Sequence, residues 1–435
     1  MSNLKAGIHI EDSEVLNAPR VFKGAFVPSR VILPLSQHTG KPSRDIVKKD
    51  QLVEAGEEIA ESDGFISSNL HASVSGKVEK ISDYFHPLTV RGRAVFITGD
   101  GKNREWVDKK DFEVDKFNAG ELIEIIKKSG IVGLGGAAFP AHVKLQPPKE
   151  IKIELLLING CECEPYLASD DILMQRHPFQ IIKGIQVIRR ILNPERVVIV
   201  IEDNKQEALE RMRQAALNKS IEVMRVKTKY PQGDEKQLIN VVINREVPPG
   251  GLPFNVGVIV QNTATCFAIY EAVYKDKPLI DRYITLAGDC IENAGVYLVK
   301  CGTLVSDLIK KAGGVKKEVG KIIFGGPMMG LAQAGLDVPV LKGTSGVLLL
   351  SKEITGDFKE YPCIKCSRCV DICSMELLPN KIAQFVKHKK WDLAEEYNAS
   401  DCIECGSCEY ICPSRIPLTQ YIRLGKKYVL DKKNG

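Results

Sequence analysis

Two segments late in the chain carry the residues best suited to chemistry. Cys363-Ile-Lys-Cys-Ser-Arg-Cys-Val-Asp-Ile-Cys373 has the spacing C-x2-C-x2-C-x3-C, and Cys402-Ile-Glu-Cys-Gly-Ser-Cys-Glu-Tyr-Ile-Cys412-Pro413 repeats it. Together they hold eight of the 13 cysteines in a chain of 435 residues. The N-terminus lacks the basic region and apolar run of a signal peptide, so a reducing cytosol is expected. There, clustered thiols bind metal or do redox work rather than form disulfides. One zinc per run is one reading, but zinc sites usually pair two C-x2-C elements across a longer loop. Three cysteines in succession at two-residue gaps instead suit one corner of an iron–sulfur cubane.

That spacing is the bacterial two-cluster run, whose fourth cysteine ligates the other cluster. On this rule one [4Fe–4S] cluster takes Cys363, Cys366, Cys369 and Cys412, and the other takes Cys402, Cys405, Cys408 and Cys373. Pro413 is the usual proline after the run, whereas Ser374 stands there in the first copy. The 28 residues between Cys373 and Cys402 read as two helices, around 378–389 and 391–397. Two adjacent clusters make a wire for single electrons. Of the other cysteines, Cys266, Cys290 and Cys301 read as buried thiols. Cys161 and Cys163 are too closely spaced to share a cluster.

Such a wire needs a donor, and the middle of the chain offers candidate walls for one. A helix over 120–128 precedes the glycine loop Gly133-Leu-Gly-Gly-Ala-Ala-Phe-Pro140. Gly133, Gly135 and Gly136 permit positive φ and close backbone approach, so successive N–H groups could cradle an anion. A tight structural turn is the competing reading. Lys144 could add a point charge. A buried strand at 153–158 leads into Asn159-Gly-Cys-Glu-Cys-Glu-Pro-Tyr166, where α/β sheets collect ligands. A helix near 178–191, a strand at 197–201, the turn Tyr230-Pro-Gln-Gly-Asp-Glu-Lys236 and the strand end Gln261-Asn-Thr-Ala-Thr265 follow. Alternating strands and helices predict a mostly parallel sheet.

Before these lie short strands. Val47–Glu61 and His71–Ile81 alternate with period two and resemble the halves of a biotinyl/lipoyl-type barrel sandwich. The hairpin between the halves, Glu61–Asn69, has no lysine to carry a swinging cofactor. Residues 276–350 read as a small strand-rich domain with one helix.

The four middle motifs resemble the flavin-binding motifs of the 51-kDa, NADH-oxidising subunit of respiratory complex I. The whole order is most similar to the C subunits (RnfC/RsxC) of Rnf ion-translocating ferredoxin:NAD oxidoreductases. The resemblance implies a multidomain α/β chain of four domains. These are a lipoyl-like barrel sandwich at 1–115, a Rossmann-like FMN/NADH domain at 116–275, a β-grasp (SLBB) domain at 276–350, and an α-helical two-[4Fe–4S] ferredoxin domain at 351–435. It implies non-covalent FMN held by Gly133, Gly135, Gly136, Lys144, Asn159, Glu162, Asn262 and Thr263. Phe139, Glu164 and Glu235 would face NAD(H) as substrate. The implied partners are the membrane and ferredoxin-like subunits of an Rnf complex, with ferredoxin reached indirectly and the chain peripheral at the cytoplasmic membrane face. A soluble adapter feeding another reductase is the alternative. Two departures stand out: Leu134 where complex I subunits have arginine, and Ala6-Gly-Ile-His-Ile10 where the family's start resembles Gly-Gly-Ile-His-Pro.

Composition agrees with a globular protein: 44% hydrophobic and 26% charged residues. The net charge of +5 is mild for this length and does not argue for nucleic acid. Lys387, Lys389, Lys390, Lys426, Lys427, Lys432 and Lys433 gather near the end, as a solvated face or a docking surface for an acidic partner or anionic membrane. No apolar run approaches the ~18 residues that span a bilayer, so membrane association is expected to be indirect.

Overall fold

The computed structural model describes residues 6–10, 16, 19–102, 104–110, 113–356 and 359–434, without the side chains of 433 and 434. Part of the N-terminal stretch read for a signal peptide, residues 1–5, therefore lies outside the described residues.

The apolar runs at 155–158 and 197–201 are strands buried on both faces, which requires helices on both sides of their sheet. They form a four-stranded parallel sheet in the order Glu222–Val226, Arg196–Glu202, Leu155–Gly160, Val258–Asn262. Helices Ala119–Lys128, Pro178–Leu192, Gln206–Ala216 and Thr263–Lys275 pack on one face around Leu156, Ile158, Ile185, Ile199 and Ile269. Helix Glu235–Ile243 covers the other through Leu238 and Ile239, against Leu157 and Val200. The strand order reverses between Leu155–Gly160 and Val258–Asn262. At that switch point Asn159 and Asn262 lie directly opposite in the register. Open α/β sheets bind ligands at this place.

Residues 281–351 form most of a six-stranded mixed sheet, with helix Val305–Lys311 packed on it through Val305, Leu308 and Ile309. Its edge strand comes from far away in the chain: Phe22–Phe26 runs parallel to Gly295–Lys300. The early strand thus leaves the barrel that its sequence position suggests. The barrel itself has a four-stranded and a three-stranded sheet closing on Val31, Leu33, Ile59, Leu70, Val78 and Val95. Its long hairpin, Gly76–His86 with Val90–Gly99, is antiparallel.

At the end of the chain, helices Pro379–Lys387, Trp391–Glu396 and Leu418–Asn434 surround Ile382, Val386, Ala394 and Ile422. Cys369, Cys373, Cys402 and Cys412 pack against this small core. No helix among the described residues is long and apolar enough to cross a membrane.

Candidate functional site

The glycine loop begins where helix Ala119–Lys128 ends, with Gly130 at φ 63°. Gly133 N–H donates to the Phe139 carbonyl at 2.8 Å, and Val132 bridges Pro140, so the loop is a closed turn. Gly136 has φ 117°, which only glycine adopts without strain. Leu134 N–H donates to Thr265 Oγ1 at 2.9 Å, binding the loop to the start of helix Thr263–Lys275. A Cβ on Gly135 would lie 3.4 Å from Asn262 Cβ, so the two elements almost touch. Among the described residues, the N–H groups of Gly135, Gly136, Ala137 and Ala138 have no partner.

Asn262 caps that helix, its Oδ1 accepting from the N–H of Ala264 at 2.8 Å. Its amide nitrogen donates to Asp170 Oδ2 at 2.6 Å. Asp170 is buried, carries no recognisable local signal, and was not legible as a site residue. Beside Asn262, the hydroxyl of Thr263 and the amide nitrogen of Gln261 are buried and lack any partner. Unsatisfied buried polar atoms are costly, and a ligand at the switch point would satisfy them.

Asn159 stitches the next wall. Its Nδ2 donates to the Gly233 carbonyl at 2.8 Å and its Oδ1 accepts from Cys161 N–H at 3.1 Å. Glu162 sits at φ 39° with both carboxylate oxygens engaged on the start of helix Ser169–Arg176. It accepts from Ser169 Oγ, Asp170 N–H and Asp171 N–H at 2.9, 2.9 and 3.0 Å. Its carboxylate is therefore a helix cap, and burial followed by the Asp170 charge raises its pKa. Cys163 accepts from Gly233 N–H at 3.2 Å, and burial keeps both it and Cys161 as neutral thiols.

Lys144 and Glu235, expected on FMN and NADH respectively, pair with each other at 3.0 Å. Phe139 is half-buried at the end of the glycine loop. Glu164 reaches the other domain: its Oε1 accepts from Met328 and Met329 N–H at 2.9 and 2.8 Å, while its Oε2 is buried and has no hydrogen-bond partner. Burial pushes this carboxyl up to about 7. A Cβ on Gly326 would fall 1.9 Å from Glu164 Cγ.

The third motif also faces the cysteine runs. Tyr230, buried beside Glu164, donates its hydroxyl to the Cys405 carbonyl at 2.6 Å. Gln237 donates to the Ser374 carbonyl at 2.9 Å, one residue past Cys373. Asp234 caps the intervening helix, accepting from Lys236 and Gln237 N–H at 3.0 and 3.1 Å. Neither long-range contact has a signature in local spacing.

In both runs, two left-handed positions let the loop wrap: Lys365 and Ser367 at φ 57° and 62°, Glu404 and Gly406 at 58° and 77°. One small cavity is lined by Cys363, Cys366, Cys369 and Cys412. Elsewhere the Cys408 sulfur has those of Cys402, Cys405 and Cys373 as electrostatic neighbours. Among the described residues, no group of three or more Cys, His, Asp or Glu could hold a single metal ion. A cubane, with iron at four separated corners, accepts wider sulfurs than one zinc does. The two nests differ in cover. Tyr361–Arg368 is exposed throughout, whereas Gly406–Cys408 is buried under the Met328 turn.

Comparison with known proteins follows these four regions. The family described as "RnfC Barrel sandwich hybrid domain" matches residues 2–102, and "Nuo51 FMN-binding domain" matches 126–271. "SLBB domain" matches 283–332 and "4Fe-4S dicluster domain" matches 362–416. The C subunit of the proton-translocating ferredoxin:NAD(+) oxidoreductase complex of Clostridium ljungdahlii is 44% identical, over 97% of this chain and 93% of that protein. The C subunit of the Na(+)-translocating ferredoxin:NAD(+) oxidoreductase complex of Acetobacterium woodii is 41% identical, over 93% and 92%. The C subunit of the ion-translocating oxidoreductase complex of Pasteurella multocida is 37% identical, over 99% of this chain but 52% of that protein. Among solved structures, the NAD+-reducing [NiFe]-hydrogenase in its H2-reduced state shares the fold, with TM-score 0.51 and 16% identity over 71% of this chain and 63% of that one. The chain belongs to the family of C subunits of Rnf-type ion-translocating ferredoxin:NAD oxidoreductase complexes.

Proposed function

We propose that the chain exchanges electrons between NAD(H) and ferredoxin-type carriers through FMN and two [4Fe–4S] clusters, as a peripheral subunit at the cytoplasmic face of a membrane-bound Rnf complex. One observation carries this reading. The turn at 230–237 joins Asn159 at the switch point through Gly233 on one side and holds the second cysteine nest through Tyr230 and Gln237 on the other.

FMN would rest at the switch point, on the free N–H groups of the glycine loop and beside Asn159, Asn262, Thr263 and Lys144. Bound there, it supplies the conversion between two-electron nicotinamide and one-electron cluster chemistry. Glu162 serves it at one remove, fixing Asp170, whose carboxylate orients the Asn262 amide. Phe139 offers a face for the adenine of NADH and Glu235 an acceptor for ribose hydroxyls, whereas Glu164 is buried against the Met328 turn. Tyr230 and the Met328 turn exclude water between the cleft and the nest.

The clusters would take the crossed ligand sets, Cys402, Cys405, Cys408 and Cys373 for the inner site and Cys363, Cys366, Cys369 and Cys412 for the outer. The inner nest touches the flavin motif. The outer nest meets solvent at Tyr361 and Ile364, which are 52% and 67% exposed, and is where a partner carrier would dock.

The test is anaerobic. Protein reconstituted with iron, sulfide and FMN is mixed with NADH while flavin and cluster absorbance are followed. Flavin bleaching followed by cluster reduction is expected. Bound flavin that ignores NADH yet is reduced by ferredoxin would replace this reading with the soluble adapter.

A further inference from the structure

The barrel sandwich lacks the lysine that would give it a cofactor, yet it packs directly against the glycine loop. The loop's carbonyls show how. Four of them accept hydrogen bonds from outside the parallel-sheet domain. Thr39 takes two: its Oγ1 donates to the Ala137 carbonyl at 2.6 Å and its N–H to the Ala138 carbonyl at 3.2 Å. Arg282, from the β-grasp sheet, donates to the Leu134 carbonyl at 3.3 Å. Lys342 donates to the Gly130 carbonyl at 2.7 Å.

Lys342 also ties the barrel in. Its Nζ donates to the Asn69 carbonyl at 2.7 Å, in the very hairpin that lacks a lysine, and its N–H donates to Gln37 Oε1 at 3.0 Å. Lys342 is 1% exposed, and among the described residues its Nζ meets the Asn69 and Gly130 carbonyls and no carboxylate. A buried ammonium held only by carbonyls is costly to keep. An apolar side chain would fill the space more cheaply, so stability alone does not account for it.

The orientation of a trans peptide supplies the purpose. Its carbonyl and the next residue's N–H point in opposite directions. Fixing the carbonyls of Leu134, Ala137 and Ala138 from outside points the N–H groups of Gly135, Ala138 and Phe139 the opposite way, away from Thr39 and Arg282. We propose that the barrel and the β-grasp loop form a clamp that holds the glycine loop in its FMN-receiving shape, with Thr39 and Lys342 as positioning residues. This rests on the flavin reading above.

FMN is titrated into deflavinated, cluster-loaded protein and its fluorescence quenching followed. Thr39→Val, which removes one hydroxyl donor, weakens FMN binding about fivefold without moving the thermal midpoint of the flavin-free protein. Thr39→Ser restores it, and Lys342→Met weakens binding further. Should Lys342→Met fail to fold, the Thr39 pair decides. Wild-type affinity in Thr39→Val, or no recovery in Thr39→Ser, overturns the clamp while leaving the flavin site intact. A wild-type chain that takes up no FMN overturns both.

Discussion

At the scale of single residues, three side chains make opposite demands on their surroundings. Cys373 belongs by sequence to the first run and by position to the second nest. Cys373→Ser should therefore damage the inner cluster and spare the outer one; electron paramagnetic resonance showing only the outer cluster lost would refute crossed ligation. Glu164 binds its proton more tightly in the folded chain than its ordinary value of 4.5 implies, with a folded value of about 7. Its contribution to stability is thus present below pH 4.5 and is lost as pH rises through 7. Glu164→Gln keeps an acceptor for the Met328 and Met329 N–H groups and cannot ionise. It should flatten that slope and gain up to about 3 kcal/mol over wild type above pH 7 in denaturant titrations. Tyr230→Phe removes the bond to the Cys405 carbonyl, worth about 1 kcal/mol. Stopped-flow mixing with NADH should then show unchanged flavin bleaching and slower cluster reduction.

Elements place these residues, and here the sequence was most legible. The helices expected at 120–128 and near 178–191 are Ala119–Lys128 and Pro178–Leu192, and the parallel strands lie within two residues of their apolar runs. Periodicity and caps are local, so they survive in the sequence. What each element touches is not local. Gly184 shows the difference. In the sequence it is an unwelcome glycine inside a helix. In the fold, a Cβ there would lie 1.8 Å from the Cys266 carbonyl, because helix 178–192 crosses helix 263–275 at that point. Gly184→Ala should cost about 1–3 kcal/mol by overpacking. It should also weaken FMN binding, since the second helix presents Asn262 and Thr263; a thermal melt and a flavin titration would check both. Thr39, Asp170, Arg282 and Lys342 escaped the sequence reading for the same reason. Each acts on a residue at least 90 positions away, and no spacing encodes that.

For the whole molecule, stability is unevenly shared. The parallel-sheet domain rests on a large apolar core, whereas residues 359–434 have a small one to which the cysteines contribute. Removing iron with a chelator should therefore loosen the C-terminal helices first. Hydrogen exchange should rise across 359–434 while strands Leu155–Gly160 and Arg196–Glu202 stay protected; uniform exchange would show that the clusters hold up the entire chain. The strand Phe22–Phe26 adds a constraint of a different kind. Its partner, Gly295–Lys300, leaves the ribosome some 270 residues later. At about 5–20 residues per second, the first strand waits roughly 15–50 s for its partner strand. That partner appears when the nascent chain is about two-thirds made, and the β-grasp sheet closes only at about four-fifths, when Gly346–Ser351 enters between its other strands; until then an edge-forming segment near the start stays available to other chains. Synthesis at low temperature or with slowed elongation lengthens that exposure, which makes the order of translation part of how this electron carrier reaches its native form.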